Sequence, residues 1–247
     1  MKFFGLIGYP LGHSFSKKFF TEKFEKENIH AQYDLYPLEN IRQFTNLITS
    51  VELTGLNVTI PYKEQVIPFL DELDATAAEI GAVNVIKFSR KDGKLHLKGY
   101  NSDAIGFENA IRPFLKSYHK QALILGTGGA SKAVDYTLRK LGITTTFVSR
   151  KSSPGILCYQ DLNKQVMTNN LLIVNCTPLG MHPSTENCPD IPYDSLSPKY
   201  LLYDVIYKPD ETLFMKKGKE KGAVTVNGLE MLYGQAVAAW EIWNSTE

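Results

Sequence analysis

The chain has 247 residues, 43% of them hydrophobic, which suffices for one large or two small globular domains at ~100–200 residues each. Its 27 Lys+Arg against 26 Asp+Glu leave a net charge of +1, so no overall field steers it onto nucleic acid or an acidic membrane, and a small-molecule partner is expected. In the N-terminal MKFFGLIGYPLGHSFSKKFF, Gly, His and Ser break the apolar runs before they reach signal-peptide or membrane-spanning length, so a cytoplasmic protein is expected. Cys158, Cys176 and Cys188 have no Cys-x-x-Cys spacing, and His13, His30, His96, His119 and His182 have no i,i+4 pairing, so neither a disulfide framework nor a metal site is expected.

No internal repeat or low-complexity tract is present, and short apolar segments alternate with stretches of helical periodicity, the pattern of βαβ units. Residues 2–8 read as a strand, 15–28 as a helix, 32–36 as a strand and 38–50 as a helix. LTGLNVTIP reads as a strand entering a loop, 71–80 as an Ala-rich helix, and AVNVIKF and KLHLKGY as a hairpin around Asp92-Gly93. The pattern then restarts with a helix from 103 to about 115, a strand at 122–125, a glycine turn, a helix over 131–141 and a strand ending at 149. A loop over 150–161 leads to further parallel strands at 171–175 and 200–205, and the apolar stripe Leu229, Leu232, Ala236, Ala239 and Trp240 predicts a C-terminal helix over 229–243. The expected organisation is two α/β domains, 1–102 with 226–247 and 103–225.

Gly126-Thr127-Gly128-Gly129-Ala130-Ser131 sits between the strand and the helix of the second unit. Gly126 permits the turn, Gly128 lets backbone approach a pyrophosphate, and the helix start offers unpaired N–H groups to that anion. The third fingerprint position is Ser131 in place of Gly or Ala. The next strand ends in Ser149-Arg150-Lys151, where an NAD site would have an acid on the ribose hydroxyl. Two cations there suit a 2′-phosphate, and they also read as solvated loop charges. Ser14 and Ser16 precede or open a helix and read as caps or as donors to a carboxylate. Asn57, Thr59 and Lys63 put an amide, a hydroxyl and an amine at a strand end, the usual ligand edge of an open α/β sheet, although a lone lysine there is more often a surface residue. Asp103 is either a favourable charge near a helix start or part of a site.

Taken in order, Ser-x-Ser, Asn57-Val-Thr-Ile-Pro-Tyr-Lys63, Gly81-Ala-Val-Asn84, Asn101-Ser-Asp-x-x-Gly106, the glycine turn, Asn175-Cys-Thr-Pro-Leu-Gly-Met181, Tyr203-Asp-Val-Ile-Tyr-Lys-Pro209 and Asn227-Gly-Leu-x-Met-Leu-x-x-Gln235 resemble shikimate dehydrogenase over nearly the whole chain. Ser102 stands where that family usually has Thr, Cys176 where Ala is frequent, and Ser149 where Asn often precedes the phosphate-binding Arg. The resemblance implies a substrate-binding domain and a Rossmann-like NADP-binding domain, with the C-terminal helix returning to the first. It implies NADPH-dependent, reversible reduction of 3-dehydroshikimate to shikimate, in aromatic amino-acid biosynthesis, by a monomer or homodimer. Position by position, it makes Lys63 and Asp103 the catalytic pair and Ser14, Ser16, Thr59, Asn84, Tyr207 and Gln235 the substrate contacts. It puts Gly126, Gly128, Gly129, Ala130, Ser149, Arg150, Lys151, Thr177, Val205 and Gly228 on the cofactor. The alternatives are a relative oxidising quinate or another hydroxy acid, and a non-catalytic NADP-sensing protein.

Overall fold

The computed structural model describes residues 1–12 and 14–246, so His13 among the histidines scanned above lies outside the described residues. The chain divides into two compact units, Met1–Ser102 with Ala236–Glu247, and Asp103–Gln235.

The first unit is built on a six-stranded mixed sheet. Strands β1 (Lys2–Gly8) and β2 (Ala31–Pro37) pair in parallel across helix α1 (Phe15–Lys26), and β1 pairs in parallel with β3 (Leu53–Val58) after helix α2 (Gln43–Ser50). A two-residue strand β4 (Glu72–Leu73), helix α3 (Ala75–Ile80) and the antiparallel hairpin β5 (Val85–Lys91) and β6 (Lys94–Tyr100) complete the order β2-β1-β3-β5-β6-β4. The hairpin turn uses Asp92 at φ 52° and Gly93 at φ 78°, the left-handed pair that the Asp-Gly sequence supplies.

The second unit carries α4 (Asp103–Ile111), β7 (Gln121–Leu125), α5 (Gly129–Lys140), β8 (Thr144–Ser149), β9 (Ile156–Cys158), α6 (Lys164–Asn169), β10 (Leu172–Asn175), β11 (Leu201–Asp204), α7 (Leu213–Glu220), β12 (Val224–Val226) and the start of α8 (Leu229–Asn244). All its strands run parallel in the order β9-β8-β7-β10-β11-β12, the 3-2-1-4-5-6 arrangement of dinucleotide-binding sheets. Continuous apolar runs explain the central strands: ALIL, LIVN and LLYD are buried on every residue, as helices on both faces demand.

The differences from the sequence reading have local causes. Helix α2 starts at Gln43, not 38, because Asn40 turns the chain, its Oδ1 accepting from Arg42 N–H at 2.9 Å. Helix α3 starts at Ala75, not 71: Glu72–Leu73 pair with β6, and Asp74 caps the helix by accepting from the N–H groups of Thr76 and Ala77 at 3.1 and 2.9 Å. Helix α4 ends at Ile111, and Pro113 lies in a 3-10 turn over Arg112–Phe114. The stretch 150–161 is not all loop, since β9 adds an edge strand on β8. Strand β12 and helices α6 and α7 have no counterpart in that reading, being too short or too polar to stand out by periodicity.

Helix α8 supplies apolar residues to both cores. Met231 packs with Phe107, Ile124, Val174 and Tyr203 of the second unit, whereas Ala236, Ala239 and Trp243 pack with Phe4, Phe20 and Tyr33 of the first. The change of unit therefore falls at Gln235/Ala236, inside the helix, and not near 226. Trp243 donates its indole N–H to Ile86 O at 3.1 Å, lies 4.7 Å from Phe4 between ring centroids, and fills the space over Gly55, where a Cβ would stand 2.3 Å from its ring nitrogen.

His119, 4% exposed, accepts from Lys116 N–H at 3.0 Å through Nδ1, which makes Nε2 the protonated nitrogen that donates to Lys199 O at 3.2 Å. Burial holds its pKa below the usual histidine value, so the native state prefers the neutral ring.

Two outcomes are expected. Trp243→Ala should destabilise the first unit by about 3–5 kcal/mol, measured by the denaturant midpoint from circular dichroism. The stabilisation from neutral His119 is present above the unfolded histidine value of about 6.5 and is lost as pH falls below it, so stability measured from pH 7 down to pH 5 should fall less steeply in His119→Gln than in the parent.

Candidate active site

In the first unit the register gathers polar residues at one edge of the sheet. Strands β1 and β3 run parallel and end together, Ile7 opposite Val58, while antiparallel β5 begins and β6 ends at that same edge, Val85 opposite Tyr100. Ser14 and Ser16 follow β1, Thr59 and Lys63 follow β3, and Asn84 precedes β5.

Each is held by identifiable contacts. Ser14 is the N-cap of α1, its oxygen accepting from Lys17 N–H at 3.3 Å; its own O–H is left to donate elsewhere. Ser16 shares a hydrogen bond with the phenol of Tyr33, which donates to Asn57 Oδ1 at 2.8 Å. Burial raises the Tyr33 pKa well above the ordinary phenol value, so it stays neutral. Thr59 N–H donates to Ile7 O at 2.9 Å, and the threonine methyl occupies the space that a Cβ on Gly8 would need, 2.4 Å away. The neighbour of Lys63, buried Tyr62, donates its hydroxyl to Leu38 O, and Lys63 O accepts from Val83 N–H at 2.7 Å. The half-buried Lys63 is thereby fixed in backbone beside the segment that carries Asn84.

Asn84 is 3% exposed and joins three strand ends. Its carbonyl accepts from Val58 N–H at 2.8 Å, its N–H donates to Tyr100 O at 3.0 Å, its Oδ1 accepts from Ser102 N–H at 2.7 Å and its Nδ2 donates to Ser102 Oγ at 3.0 Å. Asn101 Nδ2 donates to Ala82 O at 2.9 Å. Ser102, where Thr is usual in the family, is fully buried and performs this hydrogen bonding without the extra methyl.

In the second unit, Asp103 opens α4 and is 6% exposed. Gln235 lies on the α8 turn that presses on Gly106, where a Cβ would stand 2.5 Å from Met231 O and 2.7 Å from Gln235 N; its amide donates to Leu232 O at 2.9 Å. Tyr207 follows β11, half-buried, with burial raising its pKa.

The carboxyl ends of β7 and β10 flank the point where strand order reverses, which is the ligand crevice of such sheets. Gly126 takes φ 106°, its N–H donates to Val148 O at 2.8 Å, and a Cβ there would stand 3.3 Å from the Cys176 backbone and from Thr177 Cγ2. Gly128 is the N-cap of the twelve-residue α5 without any side-chain cap, and a Cβ on it would meet nothing within 4 Å. The N–H groups at the start of α5, with open space over Gly128, fit a pyrophosphate. Ser131 is fully buried and donates to Gly128 O at 2.6 Å, so the departure from Gly or Ala locks the turn instead of crowding it.

Strand β8 ends at Ser149, paired opposite Cys158, and Arg150 and Lys151 beyond it are exposed, with Arg150 close enough to Tyr159 to lower that phenol's burial-raised pKa. Val205 N–H donates to Asn175 O at 3.0 Å, Gly228 N–H donates to Ile206 O at 3.0 Å, and a Cβ on Gly228 would stand 2.1 Å from Val205 O. Thr177, Val205 and Gly228 thus come from three adjacent turns of one sheet edge. Among the described residues there is no group of three or more His, Cys, Asp or Glu that could hold a metal ion, and no helix is long and apolar enough to cross a membrane.

Residue-type reasoning passed over Tyr33, Asn175 and Asp204 as site-forming. For the last two the signal was available: LIVN and LLYD are apolar runs that each end in one polar residue, and both of those residues are fully buried.

The family model for the shikimate dehydrogenase substrate binding domain matches residues 6–86. A shikimate dehydrogenase (NADP(+)) of Methanosphaera stadtmanae is 36% identical over 97% of this chain and 90% of its own length. The crystal structure of shikimate dehydrogenase from Aquifex aeolicus is similar at TM-score 0.85 and 34% identity, covering 100% of this chain and 93% of that one. That of the Thermus thermophilus enzyme, in complex with NADP(H) and shikimate, is similar at TM-score 0.85 and 27% identity, covering 99% and 94%. With such identity sustained along nearly its full length, and with the family's motifs standing at the sheet edges just described, the chain belongs to the shikimate dehydrogenase family.

Proposed function

We propose that this chain is an NADP-dependent shikimate dehydrogenase, catalysing the reversible reduction of 3-dehydroshikimate to shikimate in aromatic amino-acid biosynthesis, as a cytoplasmic monomer or homodimer. The observation that carries the cofactor assignment is the end of β8: an exposed Arg150 and Lys151, with no acid, on the strand next to the uncapped glycine turn. A guanidinium holds a 2′-phosphate in bidentate fashion and Lys adds a point charge. The first unit is the substrate-binding domain and the second the NADP-binding domain.

In this reading Gly126, Gly128, Gly129 and Ala130 hold the pyrophosphate, Ser149, Arg150 and Lys151 the adenosine phosphate, and Thr177, Val205 and Gly228 the nicotinamide end. When bound, the nicotinamide supplies the hydride acceptor for alcohol oxidation and the donor for ketone reduction. Ser14 and Ser16, with Thr59 and Tyr207, hold the substrate carboxylate, and Asn84 and Gln235 the ring hydroxyls. Lys63 takes the hydroxyl proton as the carbinol carbon is oxidised and returns it to the ketone oxygen in reduction, with Asp103 as its partner in the pair. Once it carries that proton, the same lysine stabilises negative charge developing on the reacting oxygen.

The first test follows reduced nicotinamide by absorbance, with shikimate or quinate paired with NADP or NAD. Fast turnover with shikimate and NADP alone is expected. Preference for quinate or NAD would overturn the specificity, and no turnover despite NADPH binding would leave a non-catalytic dinucleotide-binding protein. Lys63→Ala should lower kcat by ~10²–10⁴-fold with NADPH affinity intact; undiminished turnover by a folded variant would remove Lys63 from the chemistry. Arg150→Ala should raise the KM for NADP by roughly 10–100-fold, the worth of a charge-assisted contact, and leave that for NAD unchanged.

A further inference from the structure

Asn175 and Asp204 end two neighbouring strands in direct register, and both are 0% exposed. Asp204 Oδ1 accepts from Asn175 Nδ2 and from Ile206 N–H, each at 3.0 Å, and its Oδ2 accepts from the Thr212 hydroxyl at 2.7 Å. Asn175 Oδ1 in turn accepts from Thr177 N–H at 3.0 Å and from the Thr177 hydroxyl at 2.6 Å, and Thr177 Oγ1 accepts from Leu179 N–H at 3.3 Å. Thr212 Oγ1 accepts from Met215 N–H at 3.4 Å and caps α7. One buried carboxylate thereby ties together the turn after β10, the segment after β11 and the start of α7.

A carboxylate is a costly means of filling such a place. Taking it out of water costs several kcal/mol even after relaxation, and an apolar side chain of similar volume would pack between strands at no such cost. What the carboxylate does, and an apolar group would not, is fix the direction of three donors at once. The loop it fixes matters because Thr177 Cγ2 and the Cys176 backbone are what Gly126 packs against. The segment fixed through Ile206 N–H also includes Val205, whose carbonyl carbon and oxygen crowd Gly228. The neighbouring ionisable groups Cys176, Tyr193 and Tyr203 all have pKa values raised by burial and stay neutral, so none of them competes for the negative charge. Burial also raises Asp204 itself, to about 6, against the lowering effect of its three donors, and it is ionised at pH 7 and above.

We propose that Asp204 is a positioning residue for dinucleotide binding: through Asn175 it holds Thr177, and through the Ile206 N–H it holds Val205, in the places that the nicotinamide end of the cofactor requires. The proposal rests on the dinucleotide-binding reading above and adds to it a residue that touches no ligand.

The test compares Asp204→Ala with Asp204→Asn. The amide keeps Oδ1 as acceptor for Asn175 and Ile206 and turns its Nδ2 to the Thr212 hydroxyl, which accepts by rotating; alanine leaves all three donors unanswered. Hydrogen exchange of peptides spanning 176–181 and 205–207, measured without cofactor, should quicken about tenfold in Asp204→Ala, the equivalent of one buried hydrogen bond, and stay near the parent rate in Asp204→Asn. NADPH affinity, read by fluorescence titration, should weaken by about tenfold in the alanine variant and return in the amide variant. Unchanged exchange or unchanged NADPH affinity in folded Asp204→Ala overturns the proposal, as does an amide variant as impaired as the alanine one. If Asp204→Ala does not fold, Asn175→Ser releases Thr177 while leaving Asp204 its other two donors, and the same loss of NADPH affinity is required of it. Failure of the parent protein itself to bind NADPH would instead overturn the dinucleotide reading, and the exchange rates would still report whether the carboxylate holds the two turns.

Discussion

Parallel pairing is the constraint from which the rest of the molecule follows. A strand that pairs in parallel with its predecessor cannot be reached by a tight hairpin, so the chain leaves the carboxyl end, crosses through a helix or long loop and re-enters from the other side. Every turn that leaves such a strand therefore opens on the same edge of the sheet. In the second unit that edge receives the glycine turn after β7, the cations after β8, the Asn175–Gly180 turn after β10 and the Val205–Tyr207 segment after β11. In the first unit the same rule brings Ser14 and Thr59 to one edge, and the antiparallel hairpin adds Asn84 and Ser102 to it, because β5 starts and β6 ends there.

Edges of this kind have backbone groups to spare, and the polar side chains of each unit are used first to answer them. Asn84 answers Ser102, Asn101 answers Ala82, and Asn175 and Asp204 answer Thr177 and Ile206. These bonds are buried, so leaving a donor unanswered would cost about 1–3 kcal/mol each. The residues proposed to meet ligands, such as Ser14, Lys63, Arg150 and Thr177, are less buried and stand on this framework. Close approach completes it: Gly8, Gly106 and Gly228 each sit where a Cβ would strike a neighbouring segment, and Gly126 takes a φ of 106° that a side chain disfavours.

Two departures from the family's usual residues are accommodated in ways the structure makes physical. Ser102 keeps both hydrogen bonds to Asn84 with a smaller side chain. Cys176, in place of the frequent Ala, is half-buried, and desolvation pushes its thiol pKa up, so it behaves as a small apolar residue packed on the β10–β11 core and not as a nucleophile.

The sequence by itself determined the alternation of strands and helices, the glycine turn between β7 and α5, the hairpin at Asp92-Gly93 and the membership of Lys63, Asp103 and their companions in one set of motifs. Those features are written in residues whose local conformational demands are strong: Gly at positive φ, apolar runs of strand length, a fixed order of rare short motifs. Tertiary structure alone decided where helices begin when a capping side chain competes with periodicity, as at Asp74, and that Ile156–Cys158 pairs as an edge strand. It also decided that α8 changes core at Ala236, because a stripe of apolar residues declares that a helix is buried but not against what. The same holds for Asp204: a carboxylate ending an apolar strand is visible in the sequence, but the three donors that give it a task come from residues 2, 8 and 29 positions away and meet only when β10 and β11 pair.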